Sequence, residues 1–235
     1  MTASSHDVLD GVDAVVFDKD GTLIDVHATW GPAMVTILTE LVSDAASQRR
    51  AAAAIGVDLD LAQLADDSPV IAETNAEIAA RLSVALGRNS AELTTQLEQL
   101  VTRHVVESVT PLPGVQKMLE SLSEAGLWLG VATNDGERSA RKQVDRLGWS
   151  DLFDNVFGYD SGHGGKPGPG MVKASAEEAG CGVGRTVMVG DTLTDIAAAT
   201  AAGCRSILID PTGRLGSAAT LVVDSPSQIA GLIGR

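Results

Sequence analysis

Aromatic residues are scarce in this chain: three Trp, three Phe and one Tyr among 235 residues. A core must therefore be assembled from Ala, Val, Leu and Ile, and the shortage argues against a base-stacking platform for single-stranded nucleic acid. Basic residues are few as well, 17 Lys and Arg against 31 Asp and Glu, for a net charge of −14. A phosphate backbone would be repelled at long range, so nucleic acid is not an expected partner. The two cysteines, Cys181 and Cys204, are too few to frame a disulfide-rich secreted scaffold. Cys204 opens an apolar stretch and reads as a small buried hydrophobe. No apolar run approaches the roughly 18 residues a membrane span needs. The start, MTASSHDVLD, has neither the basic beginning nor the apolar run of a signal peptide. A soluble, cytoplasmic, acidic protein without a membrane partner is expected. Aliphatic residues, by contrast, are plentiful: hydrophobic types make up 44%, enough for one large domain or a core with a modest insert.

Five short β-type runs share one form, an apolar stretch ending in Asp, Thr or Gly: Val12–Asp18, Leu127–Thr133, Thr186–Asp191, Cys204–Asp210 and Thr220–Asp224. Helical patterns lie between them, over Val115–Ala125, Arg138–Leu147, Met171–Ala179 and Asp195–Ala202. Alternation of this kind, with near-continuous apolar strands, predicts an α/β fold: a Rossmann-like parallel sheet with helices on both faces. Ligands of such sheets sit at the carboxyl ends of the strands, where the polar residues ending these runs stand. Residues 26–110 differ. They show helical spacing in Trp30, Met34, Ile37, Leu38, Leu41 and Val42, and further helical patterns over Arg49–Ile55, Thr74–Leu86 and from Ser90 onward, with no convincing strand. This stretch carries 11 acids and 5 bases. It reads as a small all-helical domain inserted after the first strand, so that 1–25 and 111–235 form the α/β core. A Walker phosphate loop is absent, since Gly165-Lys166 is followed by Pro167.

The strongest chemical signal is Asp18-Lys19-Asp20-Gly21-Thr22, directly after a strand. Two carboxylates two apart at a strand end can hold a metal, or divide into nucleophile and acid/base. Gly21 permits a tight turn whose N–H groups could cradle an anion. A fixed Asp-x-Asp-Gly-Thr arises by chance in a chain this long on the order of once in a thousand, so an ordinary capped turn is the weaker reading. Later strand ends supply complementary groups: Thr133 and Asn134, then Lys166 in a glycine-rich loop, then Asp191 and Asp195 in Gly190-Asp191-Thr192-Leu193-Thr194-Asp195. Each alone is a helix cap, a solvated lysine or a helix-start acid. Four carboxylates converging at one sheet edge would repel unless some were protonated or a cation entered. An oxygen-only donor set without a His or Cys cluster suits Mg²⁺ better than Zn²⁺.

This ordered set resembles the haloacid dehalogenase superfamily of phosphatases. Asp18-x-Asp20-Gly21-Thr22 looks like its first motif, Thr133 its second, Lys166 its third and Gly190-Asp191-x-x-x-Asp195 its fourth. Pro113-Gly114-Val115 and Lys166-Pro167 look most like the phosphoglycolate phosphatase-like branch, and the insert sits where the family places a helical cap. The resemblance implies that Asp18 attacks phosphorus to form an aspartyl phosphate, and that Asp20 protonates the leaving alcohol and then takes a proton from water. It implies that Gly21, Thr133, Asn134 and Lys166 hold the phosphate. Mg²⁺ would be bound by Asp18, the Asp20 carbonyl and Asp191, with Asp195 ligating directly or through water.

Within the superfamily, Asp20 argues against dehalogenation, whose halide leaving group needs no proton. The lack of lysine in residues 26–110 argues against a Schiff-base phosphonatase. A Mg²⁺-dependent phosphatase acting on a small phosphorylated metabolite, such as phosphoglycolate, a sugar phosphate or a nucleotide, is expected. The alternatives are a phosphomutase resembling β-phosphoglucomutase or a non-catalytic phosphate-binding module. His27, Trp30 and His163 are candidate specificity residues, and a monomer or homodimer is expected. Two residues depart from the family pattern. Lys19 stands where an apolar residue is more usual; turned away it is neutral, turned inward it could lower carboxylate pKa values. Asp135 adds charge beside Asn134.

Overall fold

The computed structural model describes residues 10–215 and 218–233. Except for Asp10, the segment read above against a signal peptide lies outside the described residues. The chain runs through β1 (Ala14–Phe17) into an insert of α1 (Val26–Leu41), α2 (Ala45–Ala54), β2 (Val57–Asp58), β3 (Gln63–Leu64), α3 (Asn75–Leu86) and α4 (Ser90–Ser108). It returns through α5 (Val115–Glu124), β4 (Trp128–Ala132), α6 (Glu137–Arg146), β5 (Asn155–Phe157), α7 (Gly170–Glu178), β6 (Thr186–Gly190), α8 (Leu193–Ala202), β7 (Arg205–Ile209) and β8 (Leu221–Val223).

Six strands pair in parallel in the order β5-β4-β1-β6-β7-β8. The sheet is covered on both faces because its strands alternate apolar side chains between two cores. Val15 and Phe17 of β1 join Leu119 and Leu122 of α5 and Val144 of α6 on one face. Val16 turns to the other, against Met171 and Val172 of α7 and Ala198 and Ala199 of α8. The chain leaves β1 toward β4 and β5, then returns to β6 on the opposite side of β1. This reversal opens a crevice at the carboxyl end of β1, the place where doubly wound sheets bind ligands.

The insert builds a separate buried cluster from Trp30, Met34, Ile37, Ile78, Leu82, Leu97 and Val101, among others. Its helices are locally encoded. Asp25 caps α1, Thr74 and Glu77 form a capping box on α3, Asn89 caps α4, and Gly87 closes α3 at φ +65°. Two elements depart from the sequence reading. The insert contains a two-residue hairpin, β2 with β3, too short to show a period of two. Strand β5 escaped notice because it has three residues and begins with the polar Asn155. Among the described residues, no helix is long and apolar enough to cross a membrane.

Candidate active site

Asp18, Thr133 and Asp191 each stand just beyond a strand, Asp195 lies in the first turn of α8, and Lys166 in the loop between β5 and α7. Asp18 extends the β1 ladder by one bond, its N–H donating to the Val189 carbonyl at 2.8 Å. The chain then turns back, with the N–H groups of Leu23 and Ile24 both donating to the Lys19 carbonyl. Gly21 makes this turn at φ +82°, where a side chain is strained. A Cβ there would also lie 2.1 Å from Asp191 Oδ2. Gly21→Ala should therefore lose ~1–2 kcal/mol of stability through backbone conformation alone and push Asp191 aside. Urea unfolding and turnover measured on one preparation should show both losses; wild-type turnover in this variant would mean that the position of Asp191 is unimportant.

Lys166 reaches across the sheet edge to join two of the motifs. Its ammonium lies 2.5 Å from Asp18 Oδ1 and 2.6 Å from Asp195 Oδ1, and all three residues are buried. Burial alone would lower the lysine, but the charges of Asp18 and Asp195 outweigh it and raise its pKa. Asp195 takes the Thr192 hydroxyl and N–H on Oδ2, at 2.7 and 3.0 Å, which caps α8. Both of its oxygens are thus engaged by protein donors. Asp191 accepts the Thr22 hydroxyl on Oδ1 at 3.1 Å. Asp18 is pushed up to about 7, first by burial and then by the charges of Asp195 and Asp20, against the pull of Lys166. Asp191 is raised well above the ordinary range by burial and by the charges of Asp18 and Asp195.

Asp18, Asp191 and Asp195 bring carboxylate oxygens within 4.8 Å of one another, a cluster that could hold a metal ion. The donor set is all oxygen, and burial, with neighbouring carboxylates adding to it, disfavours the charged forms of Asp18 and Asp191. With Asp195 committed to Lys166 and Thr192, Asp18 and Asp191 are the better placed direct ligands.

Thr133 is buried and its hydroxyl oxygen accepts the Asp135 N–H at 3.1 Å. The Asn134 side chain serves as a tie rather than an open donor. Its Oδ1 accepts the Lys166 N–H at 2.8 Å, and its Nδ2 donates to the carbonyls of Lys166 and of Ala72 in the insert. Of the three specificity candidates, only Trp30 faces the cavity at the sheet edge. It sits on an apolar helix face, yet its indole N–H donates to Asp20 Oδ1. His27 lines a second groove together with Gly21, Asp66 and Asp191, and exposed His163 packs against the Phe157 ring at 4.7 Å between centroids.

The two departures from the family pattern meet each other. Lys19 turns inward, 2.7 Å from Asp20 Oδ2 and 3.4 Å from Asp135 Oδ2. Burial alone would lower Lys19, but Asp20 and Asp135 raise it; Asp135 is raised by burial, against the pull of Lys19. Gln143, absent from the sequence reading, bonds to both partners. The signal for it was a polar residue on the face of α6 that also carries Ala140 and Val144.

The model of haloacid dehalogenase-like hydrolases matches residues 12–203. The chain belongs to the haloacid dehalogenase-like hydrolase family. Over 199 residues it is 31% identical to the phosphoglycolate phosphatase of Agrobacterium fabrum, covering 82% of this chain and 78% of that one. A shorter stretch of 104 residues is 38% identical to the phosphoglycolate phosphatase of Neisseria meningitidis, 44% of each chain. Among solved structures, CbbY from Rhodobacter sphaeroides in complex with phosphate superposes with a TM-score of 0.68 at 20% identity, covering 93% of this chain and 96% of that one. This haloacid dehalogenase-like hydrolase is a phosphatase, and its six-stranded α/β core is the family fold.

Proposed function

We propose that this phosphatase hydrolyses a small phosphate monoester through an aspartyl phosphate on Asp18. The observation that carries the reading is the buried Asp18–Lys166–Asp195 chain set beside Asp20 at the carboxyl end of β1. An Asp18 oxygen attacks phosphorus while the bond to the ester oxygen breaks, and Asp20 gives that oxygen its proton. Water then attacks the same phosphorus, Asp20 takes the water's proton, and the Asp18–phosphorus bond breaks to release phosphate. Lys166 offsets the charge of the phosphoryl oxygens and holds Asp18 in line; Asp195 and Asn134 position Lys166. Thr133 and the turn at Gly21 would complete the phosphate cradle. Asp18, Asp191 and the Asp20 carbonyl would hold Mg²⁺, which when bound supplies positive charge to the transferring phosphoryl group.

We read residues 26–110 as the cap over this site. Trp30, Met34, Val70, Ile78 and Leu97 face the catalytic carboxylates across a cavity of about 30 Å³. That is far below the ~300–1,000 Å³ of a ligand site, so substrate enters when the cap swings away and is enclosed when it returns. The single ionisable side chain that the cap brings to the cavity, among the described residues, is Glu73. This mostly apolar wall favours an uncharged organic portion and disfavours the bisphosphate intermediate of a mutase.

Phosphate release should be measured on phosphoglycolate, a sugar phosphate, a nucleoside monophosphate and a simple alkyl phosphate, with and without Mg²⁺. We expect metal-dependent turnover, with esters whose organic part is uncharged exceeding phosphoglycolate in kcat/KM by about tenfold, a discrimination of ~1.4 kcal/mol. Phosphoglycolate ranking first would refute the apolar-wall argument. No release from any ester would refute the phosphatase mechanism.

A further inference from the structure

Lys19 is an ammonium with only 1% of the residue exposed, and a buried cation persists only where it is paired and hydrogen-bonded. Its Nζ donates to Asp20 Oδ2 at 2.7 Å and to Gln143 Oε1 at 2.8 Å, lies 3.4 Å from Asp135 Oδ2, and sits 5.5 Å from the centre of the Trp30 ring. Gln143 Nε2 donates in turn to Asp135 Oδ2 and to Ser139 Oγ, both at 2.9 Å. Asp135 Oδ1 takes the Gly136 N–H at 2.7 Å. The lysine is thus anchored by β1, by the loop after β4 and by α6, all parts of the core. Lys19 and Asp135 cancel each other's charge, so together they supply a fixed donor without changing the net charge of the site.

The acid/base group is held at both oxygens, Oδ2 by Lys19 and Oδ1 by the Trp30 indole N–H. These donors are not equivalent. Trp30 rides on α1 of the cap, and an ester oxygen seated at Oδ1 takes the place of its N–H, whereas Lys19 stays with the core. An ammonium has no acceptor, so the oxygen facing it cannot be the one that donates a proton in that bond. The working proton of Asp20 is confined to Oδ1.

We propose that Lys19, fixed by Asp135 and Gln143, is the positioning residue that locks Asp20 Oδ2 and so turns Oδ1 toward the ester oxygen. The proposal rests on the aspartyl-phosphate reading, and a leaving-group comparison separates the two. An alkyl phosphate needs its leaving oxygen protonated; acetyl phosphate releases acetate, which does not. kcat/KM reports the steps up to phosphoryl transfer to Asp18, the part in which that proton is needed.

The decisive variant is Lys19→Met combined with Asp135→Asn, which removes the donor to Asp20 without stranding the buried Asp135 carboxylate. With Mg²⁺ present, kcat/KM for the fastest alkyl ester should fall about 30-fold or more, a share of the ~10²–10⁴ that acid–base catalysis supplies. For acetyl phosphate it should stay within about threefold. Gln143→Met, which loosens Lys19 but keeps it, should show the same ester dependence at a few-fold loss, and reads the proposal should the double variant not fold. Equal losses on both esters, or wild-type rates on the alkyl ester in the double variant, overturn the proposal while leaving the phosphatase mechanism intact. Wild-type enzyme that hydrolyses neither ester overturns the mechanism and this proposal together.

Discussion

Asp18→Asn is expected to reduce phosphate release by on the order of 10⁴-fold or more, because it removes the nucleophile proposed above. The amide keeps the volume of the carboxylate and can still accept from Lys166, but it has no anionic oxygen to attack phosphorus. The same change should not harm the fold. Asp18, Asp191 and Asp195 crowd around one ammonium, and burial with negative neighbours has pushed Asp18 up to about 7. Removing one of these charges relieves repulsion, and Lys166 keeps its bond to Asp195. Without metal at pH 8, the thermal midpoint of Asp18→Asn should equal or exceed that of wild type. Phosphoenzyme trapped by acid quench should be hydroxylamine-sensitive in wild type and absent in the variant. Retained turnover, or a label that survives in Asp18→Asn, would assign the nucleophile elsewhere.

Chelation is expected to abolish turnover, and Mg²⁺ to restore it while stabilising the fold more strongly at high pH than at low. Asp18 and Asp191 are both raised in the folded chain. A raised acid contributes stability below its unfolded value, near 4, and that contribution is lost as pH climbs through the folded value. The metal-free protein should therefore lose thermal stability between about pH 5 and pH 8, the interval set by Asp18 at about 7. A cation bound by the ionised carboxylates offsets that loss, and its binding releases protons. At 100 times its Kd a ligand adds about 2.7 kcal/mol, or ~5–10 °C for a chain of this length. Scanning calorimetry at pH 5.5 and pH 8, with chelator and with Mg²⁺, reads the difference. An Mg²⁺ shift of equal size at both pH values would contradict the charge-crowding account. Asp210 does not confuse the interval. Hydrogen bonds from Leu215 and Thr212 hold it near 2, so the stability it contributes is present above about pH 4 and is lost only in stronger acid.

The site was legible in the sequence to the extent that its residues follow strands. Asp18, Thr133 and Asp191 each directly follow a strand, and Asp195 lies four residues beyond Asp191, so reading the apolar runs was enough to place them on one edge. Trp30 was harder to read because α1 presents it on the same apolar face as Met34 and Ile37. Only the position of that helix over the sheet shows its N–H on Asp20. Asn134 was expected to face phosphate, yet its amide ties Lys166 to the insert; a side chain's choice between ligand and neighbouring carbonyls leaves no trace in residue type.

What the sequence determined by itself was the period of the apolar residues, the caps and turns, and the order of chemical groups along the chain. These are local quantities, set by backbone geometry within a few residues. The tertiary structure alone decided how buried charges are compensated. Lys19 and Asp135 looked like two separate anomalies until β1 and β4 paired and α6 delivered Gln143, 124 residues from Lys19. Lys166 meets Asp18 across 148 residues for the same reason. Ion pairing depends on distances of a few ångströms and on the loss of water around the groups, and the packing of distant elements sets both.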